Sequence, residues 1–466
     1  MSDASYMRRD VSAQLQEWKT SPFRKPLILK GARQVGKTKV LKEFGHMEFQ
    51  NMAYVSLERI ARDIPSEYAQ FFEETLDPHR IVANLSLALG APIVAGRTLL
   101  VLDEVQDCPA AINSLKYFCE DMPDLHVACA GSLLGVALAA ESSFPVGKVD
   151  FLTLFPMTFF EFLDAVDQEA LAFYGKELGD TRPLPDLFAS RFEDALRAYF
   201  SVGGMPEAVL RWKTTHDISQ VDDVLGALVD SYERDFAKHG GARQFAKISQ
   251  VWQSLPSQLA RENKKFLYGI VREGARAREY EDAVVWLESA GLIYRVNRSS
   301  RPGLPMSAYD ESAFKVYALD IGILRRLARL DATVFSQSDK LFSEFKGAFA
   351  ENYVLQALMP QLDVAPRYWT NERPRHEVDY LIQLANTVVP CEVKAGTNVK
   401  SPSLKYYFGK YADATPLRVR FSLRNLSLDG DVLNIPLYLC DIAAKLIGEN
   451  LPSASRTTGV ANGKAD

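Results

Sequence analysis

The sequence predicts an α/β protein: a parallel sheet near the N-terminal end, a helical middle region, and a second, smaller α/β unit near the C-terminal end. Three observations predict it. A glycine loop, Gly31-Ala-Arg-Gln-Val-Gly-Lys-Thr38, stands between the apolar run Pro26–Lys30 and a stretch, Lys39–Phe44, with apolar residues at helical spacing. Further on, Thr98-Leu-Leu-Val-Leu-Asp-Glu-Val-Gln-Asp107 places four apolar residues before two acids, the pattern of a strand buried on both faces. From around residue 340 the helical pattern gives way to short strand-like runs with carboxylates inside them.

The chain has 466 residues, enough for roughly two to four domains. Hydrophobic residues make up 47% and charged residues 24%, which suits several packed cores. A net charge of −5 excludes a polycation, so any nucleic-acid contact must come from local patches. The five cysteines (Cys108, Cys119, Cys129, Cys391, Cys440) form no C-x-x-C pair, which argues against a disulfide framework and a zinc site. Met1–Asp10 lacks the apolar core of a signal peptide, and no stretch has the length of a membrane span. A cytoplasmic protein is expected. The composition shifts divide the chain into residues 1–190, 191–335, 336–445 and a small, polar tail at 446–466 that is expected to be disordered.

Residues 7–24 carry Val11, Leu15 and Trp18 on one helical face, which predicts a short helix packed beside the glycine loop. The loop reads G-x-x-x-x-G-K-T, and strand, loop, helix is the arrangement that phosphate binding needs. Gly31 and Gly36 allow the backbone of Ala32, Arg33, Gln34 and Val35 to turn its N–H groups inward, and the helix start that carries Lys39 adds partial positive charge. Lys37 would reach the β- and γ-phosphates, and Thr38 would offer its hydroxyl to Mg²⁺. An ordinary glycine turn is the plain alternative, which the flanking elements disfavour. Met52–Leu57 reads as a second strand. Asp103 and Glu104 fall at the carboxyl end of their strand, where open α/β sheets build sites. Asp103 would hold Mg²⁺ through water and Glu104 would polarise the attacking water. Leu125–Ser132 is a further strand, and Ser132 at its tip is either a γ-phosphate sensor or a helix cap.

Phe155-Pro-Met-Thr-Phe-Phe-Glu-Phe162 has the density of a core or an inter-domain seam, and Tyr199–Pro206 reads as a turn between helices. Residues 220–295 are helical in pattern. A helix over Tyr280–Ala290, a strand at Leu292–Val296, a turn-rich stretch and a strand at Phe314–Leu319 outline a winged helix, which serves either as a DNA reader or as an ATPase lid.

In the C-terminal third, Gly347–Gln356 is a helix with Glu351, His376–Gln383 a strand with Asp379, and Thr387–Lys394 a strand with Glu392 and Lys394 on one face. Three carboxylates can gather one or two hard cations, and a lysine beside them can position water for phosphodiester attack. The alternative is an exposed polar face of a small sheet. Residues 366–424 hold ten Lys/Arg against five Asp/Glu, interleaved with Tyr406, Tyr407 and Tyr411. This suits a phosphate backbone, or a solvated face.

These motifs resemble those of prokaryotic AAA-type P-loop ATPases that join an ATPase core to a C-terminal domain of unknown function with a PD-(D/E)XK-nuclease-like fold. The glycine loop with Arg33-Gln34, Leu102-Asp-Glu-Val-Gln106, Ala130-Gly-Ser132, Leu154–Phe162, Gly203-Gly-Met-Pro206, Tyr317–Asp320 with Gly322, and the Glu351/Asp379/Glu392/Lys394 set carry the resemblance over nearly the whole chain. It implies ATP and Mg²⁺ as ligands, ATP hydrolysis, and self-assembly in which an arginine from a neighbour completes the site. Arg234, in Tyr-Glu-Arg-Asp235, is the candidate for that arginine. Where the family has a glutamine-tyrosine helix, this chain has Ser403-Leu-Lys-Tyr-Tyr407. The expected function is a Mg²⁺-dependent, oligomeric ATPase acting on DNA. The alternative is a nucleotide switch that binds a protein partner, with the nuclease-like unit as a scaffold.

Overall fold

The computed structural model describes residues 7–60, 64–131, 145–239, 241–261, 264–332, 343–396 and 400–452. Ser132 and residues 453–466 of the expected tail lie outside these residues; residues 446–450 are not a disordered tail but the end of helix Ala443–Asn450, whose Leu446 and Ile447 are buried in the core.

The N-terminal unit is built on five parallel strands: β1 (Leu27–Lys30), β2 (Asn51–Ser56), β3 (Thr98–Asp103), β4 (His126–Ala130) and β5 (Asp150–Thr153). Their order is β2-β3-β4-β1-β5. Alternation along the strands feeds two cores. Leu27, Leu29, Leu99, Val101, Ala128 and Ala130 face one side. Ile28, Leu100, Leu102, Val127 and Cys129 face the other. Helix Lys37–Glu48 and the N-terminal helix Val11–Thr20 cover the first side with Val40, Leu41 and Phe44, and with Val11, Leu15 and Trp18. Helices Pro78–Leu89 and Pro109–Asp121 cover the second. Both faces are dry, which is why Leu99–Leu102 of β3 and Val127–Ala130 of β4 read as unbroken apolar runs. Strand β5 did not stand out in the sequence. It is four residues long, alternates between half-buried and exposed, and lies at the sheet edge.

The middle region is helical over Asp186–Val202, Pro206–Thr215, Ile218–His239, Gly241–Leu259 and Ala277–Ser289. The expected turn at Tyr199–Pro206 is shorter than anticipated: the helix runs to Val202, and only Gly203–Met205 turn. Strands β6 (Ile293–Ser299) and β7 (Asp310–Ala318) pair antiparallel after the last of these helices.

That hairpin is not free-standing. β6 pairs in parallel with β8 (Arg367–Glu372) at Arg298↔Tyr368. With β9 (Arg375–Leu384), β10 (Thr387–Val393), β11 (Arg418–Ser422), β12 (Ser427–Asp429) and β13 (Val432–Pro436) it forms one eight-stranded mixed sheet, ordered β12-β13-β11-β10-β9-β8-β6-β7. Helix Ser343–Leu358 packs on this sheet. Its Asn352 side chain donates to Ala318 O (3.0 Å) and accepts from Ala318 N (2.8 Å), completing the β7 edge like one residue of a ninth strand.

The three regions meet at Asp320, which is wholly buried. Its carboxylate accepts from Gly204 N (2.6 Å), Ile323 N (3.0 Å) and Gln356 Nε2 (3.1 Å). Gly204 O accepts from Met157 N (2.7 Å), and Tyr199 donates to Met157 O (2.5 Å). A Cβ on Gly204 would lie 2.2 Å from Met157 O, so only glycine permits this approach. Gly203-Gly-Met-Pro, Phe-Pro-Met and Ala-Leu-Asp320, scattered in sequence, are thus one joint.

Candidate functional site

The glycine loop leaves β1 and enters helix Lys37–Glu48 through positive φ at Gly31 (147°), Gln34 (64°) and Gly36 (97°). At Gly31 a Cβ would stand 2.3 Å from Leu154 O, so glycine is required by packing as well as by backbone. Val35 is buried and Gln34 exposed. Lys37 is buried, and its ammonium donates to Gly31 O (2.9 Å) and Ala32 O (2.8 Å). Burial lowers its pKa to about 8; Glu104 and Asp103 oppose that shift and Arg33 adds to it. Thr38 and Lys39 follow in the first helical turn, both half-buried.

Asp103 ends β3 and is buried. Its Oδ2 accepts from Thr38 Oγ1 and from Tyr54 OH, each at 2.8 Å. Burial and the Asp103 hydrogen bond hold the Tyr54 hydroxyl well above its usual pKa, so it stays a donor. Glu104 follows in the left-handed region (φ 51°), and its Oε2 accepts from Gln106 Nε2 at 2.5 Å. Phosphate loop, hydroxyl and two carboxylates therefore meet at the carboxyl ends of β1 and β3. A hydroxyl and a carboxylate are hard oxygen donors and suit Mg²⁺. Thr38 and Asp103 would hold that ion, which in such sites neutralises charge on the phosphates.

Arg9 was not singled out by the sequence. It is buried under the loop and donates to Val35 O (2.9 Å) and Phe155 O (2.6 Å), and its Nε lies 3.1 Å from Glu161 Oε2. The one available signal was a basic residue just before a helix start, where the dipole disfavours it. Arg33 turns toward the middle region: Nη1 donates to Asp235 Oδ1 (2.6 Å) and Oδ2 (2.8 Å), while Tyr232 donates to Arg33 O (3.0 Å). Arg234, between Tyr232 and Asp235, is exposed.

In the C-terminal unit the structure brings Glu351, Asp379 and Glu392 close together, all buried. The register between β8 and β9 shifts from Arg367↔Leu381 to Trp369↔Val378. β9 thus carries an extra residue beside Asp379, a bulge of the kind that re-aims a side chain. Burial, then Glu351 and Glu392, raise the Asp379 pKa well above the usual carboxylate range. The surrounding charges differ from the three-carboxylate metal set expected from the sequence. Lys264, from the middle region, binds Glu351 Oε1. Lys315, wholly buried on β7, pairs with Glu377 and lies 3.9 Å from Glu351 Oε2. Lys394 donates to Glu392 Oε1 at 2.7 Å. Among the described residues no group of three or more His, Cys, Asp or Glu is arranged to hold a metal ion. Ammonium groups stand against the carboxylates instead. Lys264 and Lys315 had no sequence signal, because each is separated from its partner by other elements.

Residues 23–163 match the family model for an AAA domain. Residues 193–334 and 346–438 match two domains of unknown function, DUF8612 and DUF4143. No curated protein matches. Among solved structures, the Walker-type ATPase PABY2304 of Pyrococcus abyssi is 13% identical over 69% of this chain and 96% of its own, with a TM-score of 0.44. The ORC1 protein of Aeropyrum pernix, in complex with DNA, is 14% identical over 71% and 95%, with a TM-score of 0.31. The RuvB Holliday junction branch migration motor of Thermotoga maritima is 15% identical over 62% and 90%, with a TM-score of 0.30. The AAA-domain match, together with the loop and carboxylate geometry, supports an AAA-type P-loop ATPase as the class of the N-terminal unit. Among the described residues no helix is long and apolar enough to cross a membrane.

Proposed function

We propose that this chain is a Mg²⁺-dependent ATPase that works as an oligomer and couples ATP binding and hydrolysis to an action on DNA. The observation that carries the nucleotide part is the 2.8 Å hydrogen bond from Thr38 to Asp103, which sets the loop and the strand-end carboxylate on one centre. Lys37 and the loop N–H groups from Gly31 to Lys39 hold the phosphates, Thr38 and Asp103 the metal, and Glu104 orients water. Ser132 senses the γ-phosphate. Arg234, exposed on its helix, reaches a neighbouring copy. Coupling to the rest of the chain is supported by the Arg33–Asp235 pair and by the joint at Asp320. DNA as partner is supported by exposed Arg373, Arg375, Lys405 and Lys410 around the Trp369–Tyr406–His376 stack. Lys37→Ala abolishes hydrolysis under this reading, and normal turnover in that variant sinks it. Duplex or branched DNA affinity that falls steeply with salt supports the DNA part.

One observation favours a second reading, a nucleotide switch for a protein partner with the C-terminal unit as scaffold. Lys264, Lys315 and Lys394 balance the carboxylates without a metal. No DNA binding in ATP or ADP, and no cleavage with Mg²⁺ or Mn²⁺, supports it. Cleavage lost in both Asp379→Ala and Glu392→Ala supports metal-dependent nuclease action instead.

A further inference from the structure

We infer that Gln106 is a positioning residue for ATP hydrolysis: its amide N–H fixes the carboxylate of Glu104, which orients the attacking water. The inference rests on the ATPase reading above and adds a residue to it. Gln106 lies in the short 3₁₀ turn Val105–Asp107 that follows β3. That turn begins at Glu104, whose φ of 51° lies in a region a glutamate enters only at a cost. Such a conformation persists where the surroundings hold it. Gln106 Nε2, 2.5 Å from Glu104 Oε2, fixes the side chain that this conformation presents. The amide orientation follows from chemistry: an ionised carboxylate only accepts, so the NH₂ end must face it.

The other end of the amide then points elsewhere. Gln106 Oε1 is buried and has no hydrogen-bond partner among the described residues. It sits on a side chain already in contact with the carboxylate that orients water. No water reaches that oxygen, so the amide acts on Glu104 through its N–H alone. In hydrolysis the water oxygen bonds to the γ-phosphorus as the bond from that phosphorus to the β–γ bridging oxygen breaks. The electron pair leaves with ADP, and one water proton passes to Glu104. Gln106 neither gains nor loses a proton and acts through the placement of Glu104. Asp103 and Thr38 lie on the other side of Glu104 in the chain and hold each other independently of Gln106 (2.8 Å), so phosphate and metal binding do not depend on it.

The test uses the full chain with ATP and Mg²⁺ and compares Gln106→Ala, Gln106→Asn and Gln106→Glu with the wild type. Affinity for a fluorescent ATP analogue and kcat are measured on each. Gln106→Ala is expected to lower kcat about 10- to 100-fold with affinity changed less than about twofold. Gln106→Glu is expected to be the slowest, through repulsion of Glu104. Gln106→Asn, too short to reach Glu104, stays low. An unchanged kcat in Gln106→Ala overturns the inference, as does a loss of affinity in proportion to kcat, which marks a structural role. No hydrolysis by the wild type overturns the ATPase reading itself, a different outcome.

Discussion

Arg33 of the phosphate loop donates to both oxygens of Asp235, more than 200 residues away, at 2.6 and 2.8 Å. The pair ties the loop to helix Ile218–His239, which also presents Arg234 to solvent. A loop residue that the general phosphate motif leaves free is here committed to the neighbouring region. Any movement of the loop on nucleotide binding is therefore felt by that helix.

Breaking the pair should be measurable. The Asp235 side chain is only 6% exposed, whereas that of Arg33 is 33% exposed. Arg33→Ala strands a buried carboxylate, but solvent reaches the vacated side, so the expected cost is about 1–2 kcal/mol rather than the larger penalty of a fully buried pair. A double-mutant cycle with Asp235→Asn should give a coupling of about 1 kcal/mol or more that shrinks at high salt. A coupling below about 0.3 kcal/mol would mean that the two side chains are neighbours without consequence.

Lys37 makes nucleotide affinity depend on pH. Its folded-state pKa of about 8 lies below the unfolded value of 10.5, with burial the main cause. Below about pH 8 both states are protonated and the folded protein bears the full cost of the buried charge. Between about 8 and 10.5 the folded state releases a proton that the unfolded chain keeps, so the contribution of this group to stability rises with pH. Phosphate reverses the preference by favouring the ammonium. ADP affinity is therefore expected to be flat below pH 8 and to fall toward tenfold per pH unit above it, with about one proton taken up on binding. Calorimetry in buffers of different ionisation enthalpy measures that uptake, and Lys37→Arg should abolish the inflection. Flat affinity from about pH 7 to 9.5 in the wild type would refute the assignment.

The two kinds of site were not equally legible in the sequence. The nucleotide site is local: one loop, and one strand end recognisable by its own apolar run. Its geometry follows from strand–loop–helix chemistry, so Gly31–Thr38 and Asp103–Glu104 stand out as candidates by their letters. What supports them could not. Arg9, Tyr54 and Asp235 reach the site from elements whose approach is fixed only by tertiary packing. The joint at Asp320 was visible as separate motifs, but a carboxylate that accepts from Gly204 and Gln356 is a relation between them, not a property of either. In the C-terminal unit the acids were readable because buried carboxylates on strands are unusual. Their compensation by Lys264 and Lys315 was hidden, since a lysine within an apolar strand such as β7 looks like a solvent-facing position until the opposite face is also covered.

Lys315 offers a test of what that compensation does. Burial alone would lower its pKa, but Glu377, Glu351 and Asp379 outweigh burial and hold it above the usual lysine range. It is a permanent cation with no exposure, 4.9 Å from the Tyr368 ring. Lys315→Met keeps most of the volume and removes the charge, so buried carboxylates are left facing one another. The expected destabilisation is about 3–5 kcal/mol at neutral pH. It should shrink as pH falls, because the freed carboxylates take up protons in the folded state. If the cluster can host a divalent cation, Mn²⁺ should restore the melting temperature of Lys315→Met while moving the wild type little. Since Mn²⁺ can also bind near Asp103, the comparison is made in a Lys315→Met, Asp103→Ala background. A melting temperature that Mn²⁺ leaves unchanged in that background would mark the carboxylates as a fixed ion-pair lattice. It would favour the scaffold reading of the C-terminal unit over cleavage.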